Sequence, residues 1–360
     1  MSTMSRRGSS KGLLFGRLIA LTSLVIAGAC GGACGGAPTP ENDPIVPDAP
    51  APSSPGATTP PAPTATTPAP SNEPAPEPPL TATECFKELA GSVPGPDYDK
   101  FKPTIAKSCA GTHHQNITGV QKVVFLGDSV TVGTPPTLPS KFYRVRLEES
   151  LKKKFGSSIE LASCAKWGAR TDDLLEGGKQ IEQCFKSGVE NKKTLIIMTN
   201  GGNDIHAWAK DKLTTEAAMI EADKAIAKLR AAIVWLTDKA HFPNGSYVTF
   251  SNVYEYTDTS GDLSSCPAAM LAGMDGAWPQ GKPAVVHFEE EFMKVAVETK
   301  TDMMFLLEHF CGHGFKRNDS KLQCYRGPNA ELWFDATCIH PTPEGHEQIA
   351  NQFMKVIDGT

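Results

Sequence analysis

From Gln121 onward, short solid apolar runs alternate with longer segments in which apolar residues recur every three or four positions. Gln121 to Leu126 is such a run, closed by Gly127, and Thr194–Met198 is another, with Ile159–Ala162 and Tyr247–Tyr254 as further short strands. Runs that are apolar at successive positions predict strands buried on both faces, as in a parallel sheet. The segments between them have a helical period. Lys141 to Phe155 is apolar at Phe142, Val145, Leu147 and Leu151 and largely charged elsewhere. Thr215 to Lys239 spaces Ile226, Leu229, Ile233 and Leu236 by three or four, which predicts a long amphipathic helix. Further helices are predicted over 171–186, 288–298 and 302–310. A last one starts near Pro343, with Thr342 as N-cap and proline at the first helical position. The alternation predicts an α/β fold of three layers, α/β/α, with a parallel sheet carrying helices on both faces.

Upstream of that pattern neither period holds. Of the 29 prolines, 16 fall between Pro38 and Pro79, in a stretch with no Lys, Arg, Trp, Tyr or Phe. Such a composition cannot build a core and reads as a linker with polyproline II character. Its 42 residues would span up to roughly 130 Å at that helix's rise. The 360-residue length alone suggests two domains, but setting the first 82 residues aside leaves one large α/β domain over 83–360.

The first residues change the picture again. Arg6, Arg7, Lys11 and Arg17 precede a mostly apolar run from Leu18 to Ala29, too short to span a bilayer at about 20 residues. Basic start, apolar run and small residues predict a signal peptide over 1–29. The sequence Ile26-Ala27-Gly28-Ala29-Cys30 resembles the lipobox of bacterial lipoproteins. That resemblance implies lipidation at Cys30, with residues 30–82 as a tether and the domain exported to the outer membrane, cell surface or periplasm. Ordinary cleavage near Ala29 with an unmodified Cys30 is the alternative. Residues 1–30 carry +4 and 31–82 carry −5, so the total of −5 leaves −4 for the rest. A mildly acidic domain without a basic run lacks the cationic footprint that nucleic-acid binding needs, so no nucleic-acid partner is expected. The eight cysteines of 83–360 suit an oxidising compartment and disulfides. Sequence proximity favours Cys85/Cys109, Cys164/Cys184 and Cys311/Cys324.

In sheets of this kind chemistry gathers beyond the carboxyl ends of the strands. Gly127-Asp128-Ser129 follows the first strand, Trp167-Gly168 the second, and Gly201-Gly202-Asn203-Asp204 the third; His340-Pro341 stands just before the last helix. A hydroxyl, two separate hydrogen-bond donors and an imidazole on one edge are the parts of an acyl-transfer site. Metal is not expected: His113-His114 and Cys311-Gly312-His313 lack a ligand spacing such as HExxH. No cofactor is expected either. Gly276 to Lys282 mimics a phosphate loop, but Pro279 lies inside it, Pro283 replaces the required Ser/Thr, and no strand precedes it.

In order and position, Gly127-Asp128-Ser129-Val130, Gly168, Gly201-Gly202-Asn203-Asp204 and His340-Pro341 resemble the four blocks of the SGNH/GDSL hydrolase superfamily. The resemblance covers the chain from Gly127 to the last helix and implies a flavodoxin-like sheet and a serine esterase. Ser129 would be the nucleophile and His340 the general base. The Ser129 and Gly168 amides and the Asn203 side chain would form the oxyanion hole. One position departs from the family: three residues before the histidine stands Thr337, where aspartate is usual, and Asp335 lies five before. Asp335 is expected to reach the far imidazole nitrogen through a local loop, with a backbone carbonyl as the alternative. The substrate would be a small-molecule, polysaccharide or lipid ester, and the protein is expected to act as a monomer. A surface binding module that has lost activity on the same fold is the competing reading.

Overall fold

The computed structural model describes residues 80–89 and 95–360. The signal peptide, Cys30 and the proline-rich tether up to Pro79 lie outside the described residues. Within them, five strands form one parallel sheet: β1 Lys122–Gly127, β2 Glu160–Ser163, β3 Thr194–Thr199, β4 Ser246–Ser251 and β5 Asp302–Met304. Their order is β2-β1-β3-β4-β5, the flavodoxin-like arrangement, so the chain leaves β1 toward one side and β3 toward the other. Val123–Leu126 of β1 and Leu195–Met198 of β3 have no exposed surface, as central strands covered on both faces require.

The helices are α1 Ala82–Cys85, α2 Ser129–Val132, α3 Tyr143–Phe155, α4 Gln180–Cys184, α5 Gly202–Lys210, α6 Thr215–Thr237, α7 Lys282–Thr299, α8 Leu306–Phe310 and α9 Pro343–Asp358. Helix α3 packs against α9 and α6 against α7, the two pairs that right-handed crossovers in this strand order assign to opposite faces of the sheet. Helix α6 turns Ile226, Leu229, Ile233 and Leu236 inward, as their spacing requires. Thr342 caps α9, its hydroxyl accepting from the Gly345 amide at 3.2 Å.

Three elements differ from the sequence pattern. Residues 302–304 are the edge strand β5, not helix, because Thr249–Ser251 of β4 pairs with them. A run that short has no readable period of its own, and the neighbouring strand decides it. The helix expected over 171–186 is split into a 3₁₀ turn, Thr171–Leu174, and the short α4. The glycine pair Gly177-Gly178 between them is poor helix material. Helix α5 starts directly on the glycine pair after β3 and was not anticipated.

Residues 110–115, which precede the first of the four blocks, cover the free edge of β5. The Thr112 amide donates to the Met303 carbonyl at 2.9 Å, and the Phe305 amide donates to that of Ala110 at 3.0 Å. Asp302, buried in β5, accepts from the Thr112 hydroxyl, the His114 amide and the Gln115 side chain. An edge strand left bare would offer unpaired amides to other chains, so this segment completes the sheet. The three disulfides suggested by proximity are present, and the remaining pair is Cys266–Cys338.

Candidate active site

At the carboxyl end of β1 the backbone must turn at once into α2. Gly127 has φ +119°, and a Cβ there would lie 1.9 Å from the Thr199 carbonyl oxygen of β3. Only glycine lets the two strand ends approach so closely. Asp128, rather than Ser129, caps the helix: its Oδ1 accepts from the Val130 amide at 3.0 Å and the Thr199 hydroxyl at 2.9 Å. Burial pushes the Asp128 carboxyl up to about 6, against the pull of those two donors. Ser129 is therefore the first helical residue. Its hydroxyl is not used in capping, and its amide is among those that a helix start leaves without an intrahelical acceptor.

His340 comes from the loop before α9. The Asp335 amide donates to the His340 carbonyl at 2.8 Å, and the Cys338 amide donates back to Asp335 at 3.0 Å. Cys338 is joined to Cys266, and the Tyr254 hydroxyl donates to the Ile339 carbonyl at 2.7 Å. Held this way, His340 places Nε2 2.9 Å from Ser129 Oγ. Burial lowers the pKa of the ring, and the charge of Asp335 opposes the shift.

Asp335 itself does not take the position expected of it. The group against His340 Nδ1 is Thr337 Oγ1, at 2.7 Å. Asp335 turns its Oδ1 back onto the residue two further on, accepting from the Thr337 amide at 2.8 Å and hydroxyl at 2.5 Å. Oδ1 is held by this local turn rather than extended toward the ring, and Oδ2 is buried without a hydrogen-bond partner. The carboxylate reaches the histidine through the threonine, and the backbone-carbonyl alternative is not what the loop adopts.

The remaining blocks follow β2 and β3 and are tied to one another. Gly168 has φ +74° in the turn closed by the Ala169 amide on the Lys166 carbonyl, at 3.3 Å. A positive φ suits glycine, and nothing lies within 4 Å of where a Cβ would be. Trp167 pins the turn by donating from Nε1 to the Gly133 carbonyl at 3.1 Å. Asn203, in the first turn of α5, donates one Nδ2 hydrogen to the Ala169 carbonyl at 2.8 Å, which leaves its second amide hydrogen for another acceptor. Asp204 braces the same pair of loops, accepting from the amide and the hydroxyl of Thr171, each at 3.0 Å. Burial raises the Asp204 carboxyl to about 6.

A cavity of about 680 Å³ opens on this edge, lined by Ser129 and Asn203 and by Ile205, Val253, Leu263, Met274 and Trp278. Three histidines outside the site have structural partners. His114 Nδ1 pairs with the Thr301 carbonyl, and His313 Nδ1 pairs with that of Glu331 while its ring stacks on Trp333. His346 lies fully buried and accepts from the Tyr143 amide at 3.2 Å. Among the described residues no group of three or more His, Cys, Asp or Glu is arranged to hold a metal.

Residues 125–348 match the sequence model of the GDSL-like lipase/acylhydrolase family. Similar solved structures include the acetyl xylan esterase AlAXEase, at 20% identity and TM-score 0.46, covering 66% of this chain and 99% of that one. An extracellular lipase from Streptomyces rimosus is 19% identical at TM-score 0.41, covering 66% and 100%. A phospholipase A1 from Streptomyces albidoflavus NA297 is 18% identical at TM-score 0.41, covering 65% and 98%. No curated protein sequence matches the chain.

Proposed function

The chain belongs to the GDSL-like lipase/acylhydrolase family, whose members hydrolyse ester bonds, and on that premise we propose that it cleaves carboxylic esters through an acyl-enzyme on Ser129. The observation that carries the reading is the 2.9 Å contact between Ser129 Oγ and His340 Nε2. Ser129 Oγ attacks the ester carbonyl while its proton passes to Nε2. The negative carbonyl oxygen is held by the Ser129 and Gly168 amides and the Asn203 side chain. The proton then goes to the leaving alcohol, and water repeats the sequence to release the acid.

A cavity of about 680 Å³ is the size that takes a drug-sized ligand and is far larger than an acetyl group needs. Its apolar lining supports a substrate with a lipophilic acyl or alcohol part. Each methylene removed from water there is worth about 0.8 kcal/mol, roughly fourfold in kcat/KM. The test is hydrolysis of p-nitrophenyl acetate, butyrate and octanoate by the full chain, with a fluorophosphonate probe to locate the nucleophile by peptide mass. We expect kcat/KM to rise from acetate to octanoate and the label to fall on Ser129. Absence of both turnover and label would favour the inactive binding module instead.

The histidine must be neutral to accept the proton. Because burial lowers its pKa, it stays neutral to a lower pH than an ordinary histidine, whose pKa is about 6.5. The acid limb of kcat/KM is therefore expected below that value, with activity retained as pH falls through it. A limb at or above the ordinary value in a pH–rate profile would contradict this placement of His340.

A further inference from the structure

We propose that Thr337 is a positioning residue that sets the tautomer of His340 and couples it to Asp335, so that the site works as a chain of four groups, Asp335, Thr337, His340 and Ser129. The proposal rests on the reading of Ser129 as nucleophile and His340 as base. It follows from counting protons. Asp335 Oδ1 accepts from Thr337 Oγ1 at 2.5 Å and from the Thr337 amide at 2.8 Å. An ionised carboxylate has no proton to give, and a threonine hydroxyl has one. That single proton therefore lies toward Asp335.

Thr337 Oγ1 can then meet His340 Nδ1, at 2.7 Å, only as an acceptor. Nδ1 must carry the ring proton. In a neutral imidazole this leaves Nε2 with its lone pair, and Nε2 is the atom 2.9 Å from Ser129 Oγ. The opposite tautomer would present an N–H to the serine and could take nothing from it. A hydroxyl already donating to a carboxylate is also a stronger acceptor, so the contact to Nδ1 tightens when the ring becomes charged.

The loop does not depend on the hydroxyl for its shape. Asp335 to His340 is closed by two backbone hydrogen bonds, and Cys338 is tied to Cys266. Among groups acting on the ring, Asp335 favours its charged form, while burial lowers the pKa of neighbouring His346 to about 3 and keeps it neutral at working pH.

The test uses the full chain with p-nitrophenyl butyrate, comparing Thr337→Val, Thr337→Ser, Asp335→Asn and the Thr337→Val/Asp335→Asn pair. Thr337→Val is expected to lower kcat about 100-fold with little change in KM, since the base loses its orientation rather than the substrate its binding. Its acid limb should move to lower pH, because the charged ring has lost its partner. Thr337→Ser should restore most of the rate. Asp335→Asn should slow the parent chain about tenfold yet add little to Thr337→Val, since both act through one hydroxyl. The proposal is overturned if Thr337→Val keeps the parental kcat, if Thr337→Ser falls as far as Thr337→Val, or if Asp335→Asn costs as much in the Thr337→Val background as alone. Turnover that leaves Ser129 unlabelled by fluorophosphonate would instead defeat the serine reading, and this proposal with it.

Discussion

Ser129→Ala and His340→Ala are each expected to lower kcat for ester hydrolysis by about 10⁴- to 10⁶-fold, and the double variant by no more than either alone. Without Oγ there is no atom to carry the acyl group. Without the imidazole, Oγ keeps its proton and is a poor nucleophile at neutral pH. Because the two groups act in one step, removing the second after the first takes away nothing that still worked. The residual rate should come from oxyanion donors and substrate binding, which neither change touches. Both truncations are tolerable to the fold. Ser129 is not the helix cap, and the His340 loop is held by backbone bonds and the Cys266–Cys338 disulfide. Steady-state kinetics beside thermal melts would check this. Single variants that keep a few per cent of parental kcat, or losses that multiply in the double variant, would show that the two residues do not act as a unit.

Asn203→Ala is expected to lower kcat about 100- to 1,000-fold, or about 3–4 kcal/mol of transition-state stabilisation, with KM changed little. One hydrogen of Nδ2 is committed to the Ala169 carbonyl, so the side chain arrives at the reaction already oriented. An oriented donor stabilises charge that develops only in the transition state, and its loss therefore falls on kcat rather than on binding. The same bond ties α5 to the Gly168 turn, so some of the loss will come from that turn relaxing. Asn203→Asp separates the two contributions. It keeps the size of the side chain but replaces the donor with an anion facing the developing oxyanion, and should be at least as slow as alanine. A fall of less than about fivefold in Asn203→Ala would remove Asn203 from the oxyanion hole.

How much of this was readable from the sequence depends on how locally each feature is determined. Strands β1 and β3 were legible because a strand buried on both faces must be apolar at every position. The ends of those strands located Ser129 and Asn203, since the turn residues that follow are set by local backbone demands such as the +119° φ of Gly127. Strand β5 was not legible. Three residues have no period, and only hydrogen bonding to β4 makes them a strand. The same holds for residues 110–112, whose sequence says nothing of edges but whose backbone meets β5.

The sequence by itself determined the parallel α/β architecture, the edge at which chemistry gathers, and the residue types gathered there. Patterns of burial and tight turns are written within a few residues of each position and survive in one dimension. Tertiary structure alone decided which groups touch. It joined Cys266 to Cys338 across a separation of 72 residues, a pairing that sequence proximity reached only as the remainder of three nearer pairs. It also turned the Asp335 carboxylate onto Thr337, leaving a hydroxyl rather than a carboxylate at His340 Nδ1. A hydrogen bond forms or fails within a few tenths of an ångström. That precision comes from the folded loop and its disulfide, not from the spacing of letters along the chain.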